Sequence, residues 1–389
     1  MKDCSKKISG SCPYGKGVML ITLLMVLCMC LTACRKEEES TEEPFVVKIG
    51  VLLDFSGERA EQSEQIYKAT QLAVDEINAA GGVLTDGYSI ELIRKDDMGD
   101  YMNSVAGYYQ LAQEGVCAVI GTNNAQGMKE LVSAGNSANV PIITPVITDD
   151  FVVDASNFSF QSCFSDKYMT KALAGYAVEE LGIENVALLY EASDEKNIIL
   201  YENFAASALS QGLGIAYAAE LNGLSETVLE EAFARIVQSD ADAVFFPATT
   251  EDMETLIFKA AKKSGYKGVF LGLPEYAEIK EDTCGYEIYV PCNMAADNDD
   301  PQISTFVNRL EDVSCDGIRP AYDAVYMIRD AIEAGYLATP ASIALKLPFL
   351  EGETLLGNYS IGAYGDVQKS VDFIRIKNGS ANYCGSIFE

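Results

Sequence analysis

Histidine is absent from all 389 residues, which removes the commonest routes to enzymatic chemistry at the outset. Without an imidazole base, neither a Ser-His-Asp nor a Cys-His nucleophile can be assembled. The acidic runs Asp96-Asp97 with Asp100, and Asp297-Asn298-Asp299-Asp300, supply carboxylates in number. Neither has the spacing of a calcium loop, and turn residues at strand ends account for both. Phe55-Ser56-Gly57 follows the first strand pattern without the glycine spacing that a dinucleotide needs. A more promising segment is Gly121-Thr122-Asn123-Asn124-Ala125-Gln126-Gly127, which follows a buried apolar run and opens a helical pattern. Its backbone N–H groups and the amides of Asn123, Asn124 and Gln126 suit a carboxylate or another acceptor-rich group, although such a loop can equally cap its own helix. The chemistry this set supports is non-covalent capture of a small polar solute, with no catalysis, no cofactor and no metal.

The eleven cysteines divide in two. Cys4, Cys12, Cys28, Cys30 and Cys34 lie in an N-terminal leader: Lys2, Lys6, Lys7 and Lys16, an apolar stretch from Val18 to Leu31, then Leu31-Thr32-Ala33-Cys34 and a charged run. That stretch is shorter than the roughly 20 residues a spanning helix requires. Its order is that of a secretory signal, and its end resembles a bacterial lipobox. The expectation is a signal peptide over 1–33, acylation of Cys34, and a flexible Glu-rich tether over 34–45, so that the chain meets the membrane through a lipid anchor only. Cys117, Cys163, Cys284, Cys292, Cys315 and Cys384 are scattered, with no CxxC spacing and no histidine beside them, which makes zinc improbable. Cys284 and Cys292 are near enough in sequence to pair; the pairing among the six stays open.

A formal net charge of −30 argues against nucleic acid and anionic membrane surfaces as partners. The length exceeds what one core sustains, so two domains are expected. Val46 to Leu53 is a short, nearly continuous apolar run, as in a strand buried on both faces of a parallel sheet. Ile66, Ala69, Ala73, Ile77 and Ala80 then recur at helical spacing until Gly81-Gly82. The alternation continues with helices at 104–114 and 128–138, starts again with helices at 169–181, 198–211 and 226–238 between strands, and predicts two doubly wound α/β sheets. Towards the end, Ile361 to Ala363 and Val371 to Lys377 read as hairpin strands, the turn being Asn378-Gly379.

Several of these segments, in this order, resemble one known family. Ile49 to Gly57 ends in Phe-Ser-Gly; Ala73-Val74-Asp75-Glu76-Ile77-Asn78-Ala79-Ala80-Gly81-Gly82 follows; then come Asp96-Asp97, Val119-Ile120-Gly121, Val140-Pro141-Ile142-Ile143-Thr144-Pro145 and Ala321-Tyr322-Asp323-Ala324-Val325. Together they are similar to the leucine/isoleucine/valine-binding proteins, type I periplasmic binding proteins that serve ABC transporters as substrate-binding lipoproteins. The resemblance implies two Rossmann-like lobes joined by a three-segment hinge, the first from 46–162 and 287–337, the second from 163–286 and 338–389. It also implies a monomer that holds an amino acid-like ligand between its lobes and delivers it to permease subunits. The alternative is a ligand-sensing lipoprotein coupled to a signalling partner.

Beside the loop residues Asn123, Asn124 and Gln126 read above, the resemblance, carried over residue by residue, assigns the ligand carboxylate to the position of Ala125 and to Val146 and Thr148. It assigns the ligand ammonium to Glu275, and places Thr249 where an aromatic is usual. The departures are Ala125 in place of a serine, Lys196-Asn197 near an expected Tyr-Gly, and no tyrosine near Gln62.

Overall fold

The computed structural model describes residues 45–134, 137–154, 158–247, 251–278, 283–310, 313 and 316–388. Five strands form the first sheet: β1 (Val46–Leu53), β2 (Ser89–Asp96), β3 (Ala118–Gly121), β4 (Ile142–Thr144) and β5 (Ser159–Gln161). They are all parallel in the order β2-β1-β3-β4-β5, with Val51 opposite Arg94 on one side and Ile120 on the other. The apolar run of β1 serves both faces. Val47, Ile49, Val51 and Leu53 pack towards helix α1 (Ala60–Ala79), whose buried Ile66, Ala69, Ala73 and Ile77 are the residues of the helical spacing. Leu52 packs the other way, against Tyr108 and Leu111 of helix α2 (Tyr101–Gln113) and Met128 and Leu131 of helix α3 (Ala125–Ser133). Each such fully buried side chain contributes about 1.5–3 kcal/mol. Helix α4 (Phe151–Asp154) is a single turn that the apolar pattern gives no sign of.

The second sheet has seven strands. Its parallel part is β6 (Asn185–Glu191), β7 (Gly214–Leu221), β8 (Ala243–Phe245), β9 (Val269–Leu271) and β10 (Ile288–Cys292). The antiparallel β14 (Val371–Lys377) and β15 (Ser380–Ile387) complete it in the order β15-β14-β10-β9-β8-β6-β7, as the Asn378-Gly379 hairpin predicts. Helices α5 (Asp166–Glu179), α6 (Glu195–Ser210), α7 (Glu226–Gln238) and α8 (Glu251–Ser264) belong with it, and an aromatic core of Phe233, Phe258, Phe270 and Tyr286 fills one face.

Between β10 and β14 the chain returns to the first sheet. Helix α9 (Pro301–Leu310) and helix α10 (Ile318–Gly335) meet α1 there: Arg309 pairs with Glu76, and the hydroxyls of Tyr322 and Tyr326 both donate to the same carboxylate. Helix α11 (Pro340–Lys346) and a small antiparallel sheet of β11 (Glu351–Thr354), β12 (Gly357–Ile361) and β13 (Val367–Lys369) stay with α10, where Tyr359 Oη donates to Asp330 at 2.6 Å.

These pairings move two of the expected boundaries. The segment opening at 287 was expected in the first lobe, but β10 continues the second sheet through its ladder with β9, and 338–369 stays with α10 rather than joining the second lobe. The chain passes between elements of the two sheets at 162–165, 293–300 and 370, and these three stretches are tied by one buried cluster. Lys369 Nζ lies 2.7 Å from Asp323 Oδ2 and donates to Ser162 O at 3.1 Å, while Arg319 donates to Asn293 O at 2.8 Å.

Cys117, Cys163, Cys284, Cys292 and Cys384 are all free thiols. Cys284 and Cys292 therefore remain unpaired; Cys292 is held inside β10 while Cys284 sits in the turn before it. Cys34 and Cys315 lie outside the described residues.

Candidate functional site

In a parallel α/β sheet the loops at the carboxyl ends of the strands carry free N–H groups, and two such sheets facing one another enclose a cleft. At the ends of β1 and β2, Asp54, Asp96 and Asp97 bring carboxylate oxygens within 4.8 Å of one another. Protein donors already occupy them. Asp54 accepts from the backbone of Gly57 and Arg59, and Asp96 from Phe55 and Met98. Asp97 accepts from Gly99 N and from the hydroxyls of Ser104 and Thr122, both at 2.7 Å. The cluster shapes three loops, and Asp100 beside it caps α2 through Met102 N and Asn103 N.

The loop after β3 has a similar role. Gly121 sits at φ 134°, and a β-carbon there would lie 2.0 Å from Leu52 O, so only glycine permits the turn. Asn123 Oδ1 accepts from Asp54 N at 3.0 Å, and its Nδ2 donates to Ser63 Oγ at 3.0 Å. Asn124 caps α3 by accepting from Gly127 N, while its Nδ2 donates to Gly99 O. Ala125 and Gln126 are exposed, and Gln126 donates to Glu130 one turn along. The amides of this loop are spent on the fold.

A cavity of about 270 Å³ opens instead between the two bodies. One wall is Gln62 of α1, then Pro145, Val146 and Thr148 after β4, and Gly317 before α10. The facing wall is Met169 of α5 with Pro274, Glu275 and Ala277 of a single 3-10 turn after β9. Cys163, Asn293 and Asp316, from the passages between the bodies and the approach to α10, close the back. Gly317 is packed so closely that a β-carbon on it would meet Val146 Cγ1 at 2.4 Å.

The two charged residues lining this cavity are both acids. Glu275 is open to solvent within the cleft, yet the loss of water around its carboxyl, together with the charges of Asp166 and Asp316, pushes it above the usual carboxylate range against the opposing pull of Lys196. Asp316 is likewise pushed up by desolvation, although Asn293 donates to both its oxygens, from the backbone at 2.8 Å and from Nδ2 at 2.7 Å. Lys196, at the start of α6, is not available to a ligand as a free cation. It pairs with Asp149 at 3.1 Å and with the buried Asp166, and lies 3.4 Å from Thr148 Oγ1. Burial works against its charge, but the two carboxylates outweigh burial and hold its pKa above the ordinary value.

Of the residues expected to hold a ligand, Val146, Thr148 and Glu275 meet in this cavity. Asn123, Asn124, Ala125 and Gln126 are not among its lining, and Thr249 lies outside the described residues. Asn293, Asp316 and Gly317 were not anticipated. The signal for Asn293 was present, since it directly follows a parallel strand, as Pro145 follows β4.

The periplasmic binding protein family model matches residues 46–381. A leucine-, isoleucine-, valine-, threonine- and alanine-binding protein of Pseudomonas aeruginosa is 24% identical over 336 residues, covering 84% of this chain and 88% of that protein. A Leu/Ile/Val-binding protein of Rhizobium johnstonii is also 24% identical, over 82% of this chain and 89% of its own length. Among solved structures, an ABC transporter substrate-binding protein from Desulfitobacterium hafniense in complex with Leu superposes with a TM-score of 0.73 at 23% identity, covering 87% of this chain and all of that one. A solute-binding protein of an ABC transporter from R. palustris in complex with benzoate gives 0.62 at 17%, over 88% and 96%. Two mainly parallel sheets with a cavity at their facing strand ends, and a family match running from β1 into β15, make this chain a member of the periplasmic binding protein family: a solute-binding protein and not an enzyme.

Proposed function

We propose that the chain is the extracytoplasmic substrate-binding component of an ABC importer, and that its cleft captures an amino acid-like solute by the amine. The lobes are 46–161 with 301–369, and 166–292 with 371–388. The observation that carries the reading is that Val146 and Thr148 line the same cavity as Glu275 while lying on the opposite wall. A ligand bridging them satisfies polar groups of both lobes at once and so favours the closed arrangement. Glu275 takes the ammonium in a charge-assisted hydrogen bond; the Thr148 hydroxyl and the backbone at Val146 take the carboxylate.

Proteins of this fold bind Leu in one case and benzoate in another, so the sign of the charge matters. An aromatic acid without an amine would face Glu275 and Asp316 with no free lysine or arginine lining the cavity. A cationic group is attracted to these carboxylates and an anionic one is repelled. The amine-bearing class is favoured on that ground. Among the described residues no helix is long and apolar enough to cross a membrane. The lipobox-like Leu31-Thr32-Ala33-Cys34 supports acylation of Cys34 as the means of retention at the cell surface.

The test is a thermal-shift screen of the full chain with amino acids, amines, amides and aromatic acids. A ligand that binds only the folded state raises the melting temperature by mass action. Shifts confined to amine-bearing compounds support the reading; shifts from benzoate-like acids and none from amines would reverse it.

A further inference from the structure

Asn293 is 2% exposed and lines the ligand cavity, yet its Oδ1 is a buried acceptor with no partner. A buried acceptor left unsatisfied carries a desolvation cost that a donor would remove. The other end of the same amide holds Asp316, whose carboxylate faces the cavity alongside Glu275. One α-ammonium satisfies one carboxylate, and here there are two. Arg319, which lines the second cavity described below, donates its two terminal nitrogens to the carbonyls of Asn293 and Leu356 and lies 3.6 Å from Asp323 through an Nε that has no hydrogen-bond partner, and Lys196 is held by Asp149 and Asp166. Past Asp316, Pro274 and Ala277 the space continues into a second cavity of about 450 Å³ that shares those three residues. A solute longer than leucine has room there.

Resting on the amine-binding reading of the cleft, we infer that the preferred solute carries a second cationic group, as a basic amino acid or a linear diamine does, with Glu275 meeting one charge and Asp316 with Asn293 Oδ1 meeting the other. An ammonium or guanidinium brings several N–H donors, enough for a carboxylate oxygen and the orphaned amide oxygen together. Desolvation raises both carboxyls when the site is empty, as expected of acids whose countercharge is supplied by a ligand. Asp316 is then a specificity-determining residue: a monoamine such as leucine leaves it unpaired, and that cost separates the two classes.

Calorimetric titration of the full chain with L-lysine, 1,5-diaminopentane, L-leucine and benzoate tests this, alongside Asp316→Asn and Asp316→Ser, each checked for an intact melting transition. Expected is an affinity for L-lysine at least about tenfold above that for L-leucine, corresponding to about 1.4 kcal/mol. In both Asp316 variants the preference shrinks to within about threefold, chiefly through weaker L-lysine binding. Leucine bound more tightly than lysine, or a lysine preference that survives both substitutions, overturns the second-charge inference and leaves the amine reading standing. Benzoate bound with neither amino acid bound overturns both.

Discussion

Lys369 Nζ sits 2.7 Å from Asp323 Oδ2 with both side chains at most 2% exposed, and this pair ties the chain just before β14 to helix α10. Ser162 O and, through Arg319, Asn293 O bring the other two passages to the same point. In the closure proposed above, the three stretches need a pivot that keeps them in register, and a buried charge cluster with fixed hydrogen bonds would supply one. Replacing Lys369 by methionine leaves the buried Asp323 with the Thr354 hydroxyl and with Arg319 at 3.6 Å. The expected loss is about 3–5 kcal/mol of unfolding free energy, read by denaturant titration. A loss below about 1 kcal/mol would show that the pair does not hold the hinge.

The raised carboxyls of Glu275 and Asp316 give a signed pH dependence. An acid whose folded-state pKa lies above its unfolded value binds more protons when folded. The ligand-free protein therefore loses stability from these two groups as pH rises through the unfolded and then the folded value. Glu275→Gln removes the ionisable group, so its melting temperature without ligand is expected to exceed that of the native chain at neutral pH and to converge with it in acid. Amine binding follows the opposite course: it weakens as pH falls through the raised pKa values, beginning at a higher pH than ordinary carboxylates would give. Parallel melting curves from pH 4 to 8, with and without ligand, check both directions.

Gly317 leaves no space on its cavity side, where an added β-carbon would run into Val146 Cγ1 before any other atom. Gly317→Ala is expected to push Val146 into the cleft and reduce ligand affinity about tenfold, with the 1–3 kcal/mol typical of overpacking divided between binding and stability. Unchanged affinity by calorimetry would mean that Val146 does not border the bound solute.

Asn124 is expected to behave differently from Thr148. Its side chain caps α3 at Gly127 N, so Asn124→Ala costs about 1 kcal/mol of stability and leaves ligand affinity within about twofold. Thr148→Ala, which removes a hydroxyl from the cavity wall, lowers affinity with little change in stability. The pair of variants, measured by thermal melts and titration, separates the two roles.

Much of the architecture is legible in the sequence because burial imposes its period directly: β1 and the α1 stripe of Ile66, Ala69, Ala73 and Ile77 lie where their apolar spacing puts them. The helix starts are displaced in a consistent way. Apolar periodicity begins α2, α3, α5 and α6 at 104, 128, 169 and 198; the helices begin at 101, 125, 166 and 195, each three residues earlier. Their first turns are held by the capping side chains of Asp100, Asn124, Ser165 and Asp194, so the cap rather than the stripe sets the boundary. The same local economy hides the site. Asn123 and Asn124 have the composition of a ligand loop but satisfy their own fold, whereas Asn293 and Asp316 are 23 residues apart and meet only through the hinge topology. That β10 pairs with β9 is not legible either, because a strand pairing in one sheet or the other looks the same from its apolar run.

Titration of the full chain and of Glu275→Gln with the amine-bearing solute that gives the largest thermal shift asks whether the cleft works as described. Saturable binding at one site per chain is expected, weakened about 10- to 100-fold by the substitution, the worth of one charge-assisted hydrogen bond of about 1.5–3 kcal/mol. Equal affinity in the two proteins would contradict capture by the amine, because the solute would then be held without the carboxylate on which that capture depends.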